Sequence, residues 1–252
     1  RIPAGASYQD HKDGDDAASP SAPAGSSHLS TNEEALTSGE KSIEDQEDDR
    51  ALLQGQALFG DVLLYKLTSS KWGERKEAIV GTQHATEDHL SSLRVRPGDP
   101  LSSDVLDDVR VRFVVVCSIV KRALKDRVAP VCFAAFEALR TLLNAYVQYF
   151  DENSEEVVGS LQRLVPILIE KMNGEATGTN RRMQQDALAC IMRLTDATSI
   201  GGQHLIASFL SDETRPLRPR LRLLKDFLEK FGLNKSSALR LSMVMAVAVP
   251  AL

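Results

Sequence analysis

The chain has little of what most directly announces a chemistry. It holds three cysteines in 252 residues, and Cys117, Cys132 and Cys190 lie far apart inside apolar runs. An odd, scattered set excludes a disulfide framework and reads as free, buried thiols in a reducing compartment. The longest apolar stretches, Phe113–Val120 and Met243–Leu252, fall short of the roughly 20 residues a membrane-spanning helix needs. The N-terminus has no basic-then-apolar leader, so a soluble, cytoplasmic protein without a membrane partner is expected. No glycine-rich loop ends in Gly-Lys-Ser/Thr, and Gly174–Gly178 has neither the lysine nor a preceding strand, which removes support for nucleotide hydrolysis. A Gly-x-Ser-x-Gly elbow is also absent, and embedded cysteines make poor nucleophiles. His84, Glu87, Asp88 and His89 gather ligand types, but the two histidines are five apart rather than four, with no cysteine nearby, so no metal site is expected. The sequon Asn234-Lys235-Ser236 stands in the wrong compartment for glycosylation. A non-enzymatic protein without cofactor is the expectation.

What is present begins with an uneven distribution of charge. Residues 1–50 carry 12 acidic and 4 basic side chains, a net of −8; residues 51–252 carry 23 and 26, a net of +3. The leader, built from Asp, Ser, Ala, Pro and Gly, cannot bury enough apolar surface to offset its ordering entropy, so residues 1–49 are expected to be a disordered acidic linker. Residues 50–252 are the expected folded domain. The chain opens on Arg1 rather than methionine and stops on Val249-Pro250-Ala251-Leu252 after an apolar run, as an excerpt truncated at its C-terminus would.

From Arg50 onward apolar residues return at helical spacing, first through Leu52, Leu53, Leu58, Phe59, Val62, Leu63 and Leu67, over about five turns that end at Thr68-Ser69-Ser70. A short helix from Trp72 to Gln83 completes a hairpin, and residues 84–103, with Pro97, Gly98 and Pro100, read as a long connection. Further pairs are expected at 104–124 with 128–150, 155–172 with 180–194, and 202–210 with 221–231, and residues 236–249 open a fifth. Pro130 is tolerable in a first helical turn, Pro216 and Pro219 mark a break, and Gly232 suits a C-terminal cap. No segment alternates with a period of two between hairpin turns, so strands are not expected. Helix pairs recurring every ~35–60 residues describe an all-α solenoid of HEAT or armadillo type.

The second helix of each pair opens beside a basic turn: Lys71-Trp72-Gly73-Glu74-Arg75-Lys76, Lys125-Asp126-Arg127, Asn180-Arg181-Arg182 and Arg215-Pro216-Leu217-Arg218-Pro219-Arg220. In a solenoid such turns line one edge, which would steer an acidic surface with strong salt dependence. Each cation taken singly is as readily a solvated helix end; recurrence at four turns favours a binding edge. Trp72, the single Trp, shares a seven-residue spacing with Ile79 and so can pack inward, or it can stand at the turn as an aromatic anchor.

Lys71-Trp72-x-x-Arg75-Lys76-x-Ala78, followed by Asp126-Arg127-Val128-x-x-Val131 and Asn180-Arg181-Arg182-x-x-x-x-Ala187-Leu188, resembles a TOG domain, the tubulin-binding HEAT array of microtubule regulators. Leu221-x-Leu223-Leu224-x-x-Phe227-Leu228-x-x-Phe231-Gly232-Leu233 and Val247-x-Val249-Pro250-Ala251-Leu252 are most similar to the branch found at ciliary tips and centrosomes. The resemblance implies binding of the αβ-tubulin heterodimer or microtubule ends through Lys71 and Trp72 at the first turn, Lys125 and Arg127 at the second, Arg181 and Arg182 at the third, and Arg215 and Arg218 at the fourth. Arg75 joins this set, with pairing to Glu74 or to a neighbouring repeat as its alternative. It also implies cytoskeletal placement at a cilium tip, centriole or centrosome, among other ciliary or centriolar proteins. Two departures stand out: such arrays usually run to about six repeats against about four and a half here, and the second turn lacks the third turn's run of basic residues. A general HEAT scaffold holding a partner helix or peptide in its concave groove is the alternative. Nucleic acid is disfavoured by the small net charge and by aromatics not interleaved with the cations.

Overall fold

The computed structural model describes residues 43–93, 101–174, 179–232 and 240–249. The expectation of disorder over residues 1–42 lies outside the described residues, as does the sequon. The ten α-helices among the described residues are α1 Ile43–Phe59, α2 Asp61–Leu67, α3 Trp72–Leu93, α4 Ser103–Leu124, α5 Ala129–Tyr146, α6 Glu155–Asn173, α7 Thr179–Asp196, α8 Gly202–Ser211, α9 Leu217–Phe231 and α10 Leu241–Ala248. Helices α1, α4 and α6 stack side by side in one layer, and α3, α5 and α7 in a second. Helix α2 pairs with α3, while α8 lies across α6 and α7 with α9 and α10 packed on it. This is the expected HEAT-type solenoid.

Stacking explains why residues rich in β-branched side chains are helical. Helix α4 has α1 and α6 on its flanks and α5 behind it, so Val115, Val116, Cys117, Ser118, Ile119 and Val120 are all buried. A helix covered on three sides needs apolar residues nearly all round, and each fully buried aliphatic side chain contributes about 1.5–3 kcal/mol. Phe113 closes on Phe150 edge to face, 5.4 Å between ring centres at 75°. Cys117, Cys132 and Cys190 are free and buried; burial pushes the Cys190 thiol up to about 12 and raises the other two as well.

Four expectations need correction. The first expected helix is two, because Gly60 breaks it at φ 82°, a conformation glycine adopts without steric cost. Residues 43–49, expected within the disordered linker, are the first part of α1; once a helix is nucleated downstream, further residues extend it cheaply, which composition does not register. Residues 84–93, expected in a connection, continue α3. Their anchors are polar: the hydroxyls of Thr82 and Thr86 donate to the carbonyls of Ala78 and Thr82, the buried Tyr146 hydroxyl reaches the Thr86 carbonyl at 3.2 Å, and the His89 ring lies between Tyr146 and Asp108. Lastly, α9 starts at Leu217, with Pro219 inside its first turn, where no helical partner awaits its missing N–H. Elsewhere the punctuation held, Gly232 taking φ 66° and donating its N–H to the Leu228 carbonyl.

Candidate functional site

The first intra-repeat turn runs from Thr68, where α2 closes, to Lys71, whose carbonyl accepts the N–H groups of Glu74 and Arg75 and so starts α3. Hydrogen bonds make this turn rigid. The Ser69 hydroxyl donates to Glu74 Oε2 at 2.6 Å and accepts the Lys71 N–H, and Lys71 Nζ meets Glu74 Oε1 at 2.9 Å. The bond from Ser69 and the contact with Lys71 hold the Glu74 carboxyl below its ordinary range, and Glu74 in turn raises Lys71. Ile79 is buried, but Trp72, one helical residue past the turn, is 49% exposed. Of the two readings its spacing allowed, the structure adopts the one with the indole at the surface.

Arg75 has a different role from its neighbours. Its Nε and Nη2 grip the two oxygens of Asp126 at 2.7 and 3.1 Å, and its Nη1 donates to the carbonyls of Ser69 and Ser70 at 2.8 and 3.0 Å. The side chains are 19% and 13% exposed. A planar fork meeting a carboxylate bidentately is the strong form of ion pair. Burial works to raise the Asp126 carboxyl, but the bonds from Arg75 and the Val128 N–H outweigh it and the carboxyl lies below its ordinary range. Expected among the outward-facing cations, Arg75 instead ties the first turn to the second, the neighbouring-repeat alternative that its position allowed.

The remaining candidates divide by whether an acid accompanies them. Lys125 closes α4 and Arg127 follows it, both exposed; Arg181 and Arg218 are exposed in the first turns of α7 and α9. These four have no acidic partner among the described residues. Arg182 is paired loosely with Asp186 at 3.6 Å, and its guanidinium lies 4.5 Å from the centre of the Phe133 ring on α5, linking the third turn to the repeat before it. Arg215 pairs with Asp212 at 2.9 Å and lies 5.5 Å from the Phe209 ring centre.

The turns do not all stand level. The Arg75 fork sets turns one and two side by side, and Arg182 over Phe133 sets the start of α7 beside the start of α5. Arg215, by contrast, faces Gln162, Val165 and Pro166 across a cavity of ≈ 530 Å³. Those residues belong to the middle of α6, which at ~1.5 Å per residue lies about 10 Å short of that helix's end. Helix α8 has 10 residues against 19 in α6, so the fourth turn stops short. Three turns are therefore level and the fourth is stepped back. Sequence reasoning missed Arg122, exposed one helical turn before Lys125; its i, i+3 spacing from Lys125 at a helix end was the available signal.

A model of the TOG domain of centrosomal protein CEP104 matches residues 54–252, the greater part of the chain. The chain belongs to the CEP104 TOG-domain family. Two solved structures are similar in fold to this TOG domain. One is the TOG domain of human Cep104, with 19% sequence identity, a TM-score of 0.62, and coverage of 84% of this chain and 77% of that one. The other is a CEP104 TOG domain at 20% identity and a TM-score of 0.60, covering 81% and 75%. No curated protein matches the chain. Membership places the TOG domain in a centrosomal and ciliary, microtubule-associated family whose fold serves binding of a tubulin kind rather than catalysis. Among the described residues no helix is long and apolar enough to cross a membrane, and no group of three His, Cys, Asp or Glu side chains is gathered for a metal ion.

Proposed function

We propose that this TOG domain binds the αβ-tubulin heterodimer through its intra-repeat turns, with Trp72 as the anchor of the contact. Lys71, Lys125, Arg127, Arg181 and Arg182 form the electrostatic part of the level edge, Arg75 positions the first two turns, and Arg215 and Arg218 contribute from the stepped-back fourth. The observation that carries the reading is the exposure of Trp72 on a turn made rigid by hydrogen bonds. A large aromatic held half in solvent has no packing role that accounts for its exposed half, whereas a pre-ordered indole ringed by charge is the composition of a binding hot spot. Cations without local acids suit an acidic partner surface and predict a strong dependence on salt. Under this reading the domain works at microtubule ends, at a cilium tip or centriole, with neither nucleic acid nor membrane as partner.

The test is co-sedimentation or gel-filtration binding to purified αβ-tubulin at two salt concentrations. Wild type is expected to co-elute less at higher salt, and Trp72→Ala and Arg181→Glu/Arg182→Glu are expected to lose binding by more than about tenfold, the scale of a hot-spot truncation. Full binding by both folded variants refutes the turn edge and points instead to the concave groove of a scaffold.

A further inference from the structure

Between the first two turns lies a cleft of ≈ 220 Å³ lined by Leu67, Thr68, Arg75, Ile79, Arg122, Ala123, Lys125, Asp126 and Val131. Four helices build it: the end of α2, the first turns of α3, the end of α4 and the start of α5. Its floor is apolar, since Leu67, Ile79, Ala123 and Val131 are buried. The Arg75–Asp126 fork forms one wall and consumes both charges there. At the rim stand Arg122 and Lys125, exposed and without an acidic partner among the described residues.

We infer that this cleft receives a single acidic side chain of the partner surface, its methylenes on the apolar floor and its carboxylate between Arg122 and Lys125. The inference rests on the tubulin-binding reading for the identity of the partner, but the chemistry of the cleft is its own. Because the one carboxylate in the cleft is already gripped by Arg75, the field at the mouth is set by two unneutralised cations. The low-dielectric floor strengthens their pull on an incoming anion. A cation offers such a cleft nothing, and a purely apolar side chain leaves the two cations partly desolvated and unpaired, which is costly. A glutamate-like side chain satisfies floor and rim together. Arg122 adds a third cation to Lys125 and Arg127 of the second turn: it comes from the last turn of α4, where a positive side chain suits the negative end of the helix dipole. The cleft lies between Trp72's turn and the second turn, so the acid it receives fixes the register of the partner along the edge, making Arg122 a specificity-determining residue.

The experiment uses the full chain and purified αβ-tubulin. Arg122→Gln is expected to weaken binding about fivefold and Arg122→Glu more than about tenfold, with Arg122→Gln/Lys125→Gln flattening the salt dependence. Arg110→Gln, the same change of charge about two turns in from the start of α4 and away from the cleft, is expected to bind as wild type does. Since Arg122 is exposed, circular dichroism and melting are expected to be unchanged in every variant. Arg122→Gln binding within about 1.5-fold of wild type, while Trp72→Ala abolishes binding, overturns the cleft and leaves the tubulin reading intact. If folded wild type does not bind tubulin at all, the tubulin reading falls and a second measurement decides the cleft: ¹⁵N-resolved titration with acetyl-tetraglutamate amide against acetyl-tetraglutamine amide. Shifts confined to the cleft residues and lost in Arg122→Gln support it; no shifts, or shifts spread over all exposed cations, overturn it.

Discussion

Changing Asp126 to asparagine strips one charge from the fork that joins the first two turns while keeping the side chain's size. Wild-type Asp126 accepts two bonds from Arg75 and one from the Val128 N–H at 2.9 Å. Fully exposed pairs contribute about 0.2–1 kcal/mol, and breaking a fully buried one costs about 3–5 kcal/mol. With exposures of 19% and 13%, this pair falls between them, and Asp126→Asn is expected to cost about 2 kcal/mol. For a folded unit of this size that is about 4–8 °C in melting temperature. The assay is thermal and urea unfolding of wild type, Asp126→Asn, Arg75→Met and the double variant, whose cycle isolates the pair with an expected coupling of about 1–2 kcal/mol. The pH dependence has a definite sign. Asp126 titrates below its ordinary 3.8 in the fold, so its contribution is fully present above 3.8 and is lost as pH falls through the lower, folded value. Loss of less than about 0.5 kcal/mol in Asp126→Asn, or a cycle with no coupling, would refute the reasoning and mean that apolar packing alone holds the two turns level.

Two further perturbations probe parts of the fold that sequence patterns describe poorly. His89 is depressed below its ordinary 6.5 by burial and by Arg112, against the opposing pull of Asp108; its Nε2 lies 2.8 Å from Asp108 and its Nδ1 2.7 Å from the Tyr146 hydroxyl. The stability this gives is present above 6.5 and is lost as pH falls through 6.5 toward the folded value, so melting temperature is expected to rise between pH 5 and 7 and this slope to flatten in His89→Asn; an unchanged slope sinks the assignment. At the junction of α7 and α8, a Cβ on Gly202 would run into the carbonyl oxygens of Leu194 and Ala197. Backbone cannot yield as a side-chain tip can, so Gly202→Ala is expected to cost at least about 3 kcal/mol in urea unfolding, and a near-neutral result would show that this junction relaxes freely.

How much was legible beforehand differs from element to element. From α4 to α9, expected and observed helix limits agree within about four residues, because Lys125-Asp126-Arg127, Asn173-Gly174 and Gly232 interrupt strong apolar periodicity. Helix α3 was cut short at Gln83 because its later turns are held by Thr82, Thr86, His89 and Tyr146, polar contacts that a hydrophobic pattern does not count. Gly60 was visible as a residue, but a glycine inside a periodic run does not reveal whether it will take a positive φ.

By itself the sequence determined that the folded domain is built of helices, that these helices pair and stack, and that cations recur where the pairs turn. Local periodicity and punctuation carry that information, since each depends on residues a few positions apart. Tertiary structure alone decided which cations face outward. Arg75 and Lys125 look alike in the sequence, yet one grips a carboxylate 51 residues away and the other stands exposed. It also decided that Trp72 stays at the surface, that Arg122 joins Lys125 over a shared cleft, and that the shorter α8 sets the fourth turn back. Each of these depends on how one repeat sits against the next, a relation between residues distant in the chain that no local pattern encodes.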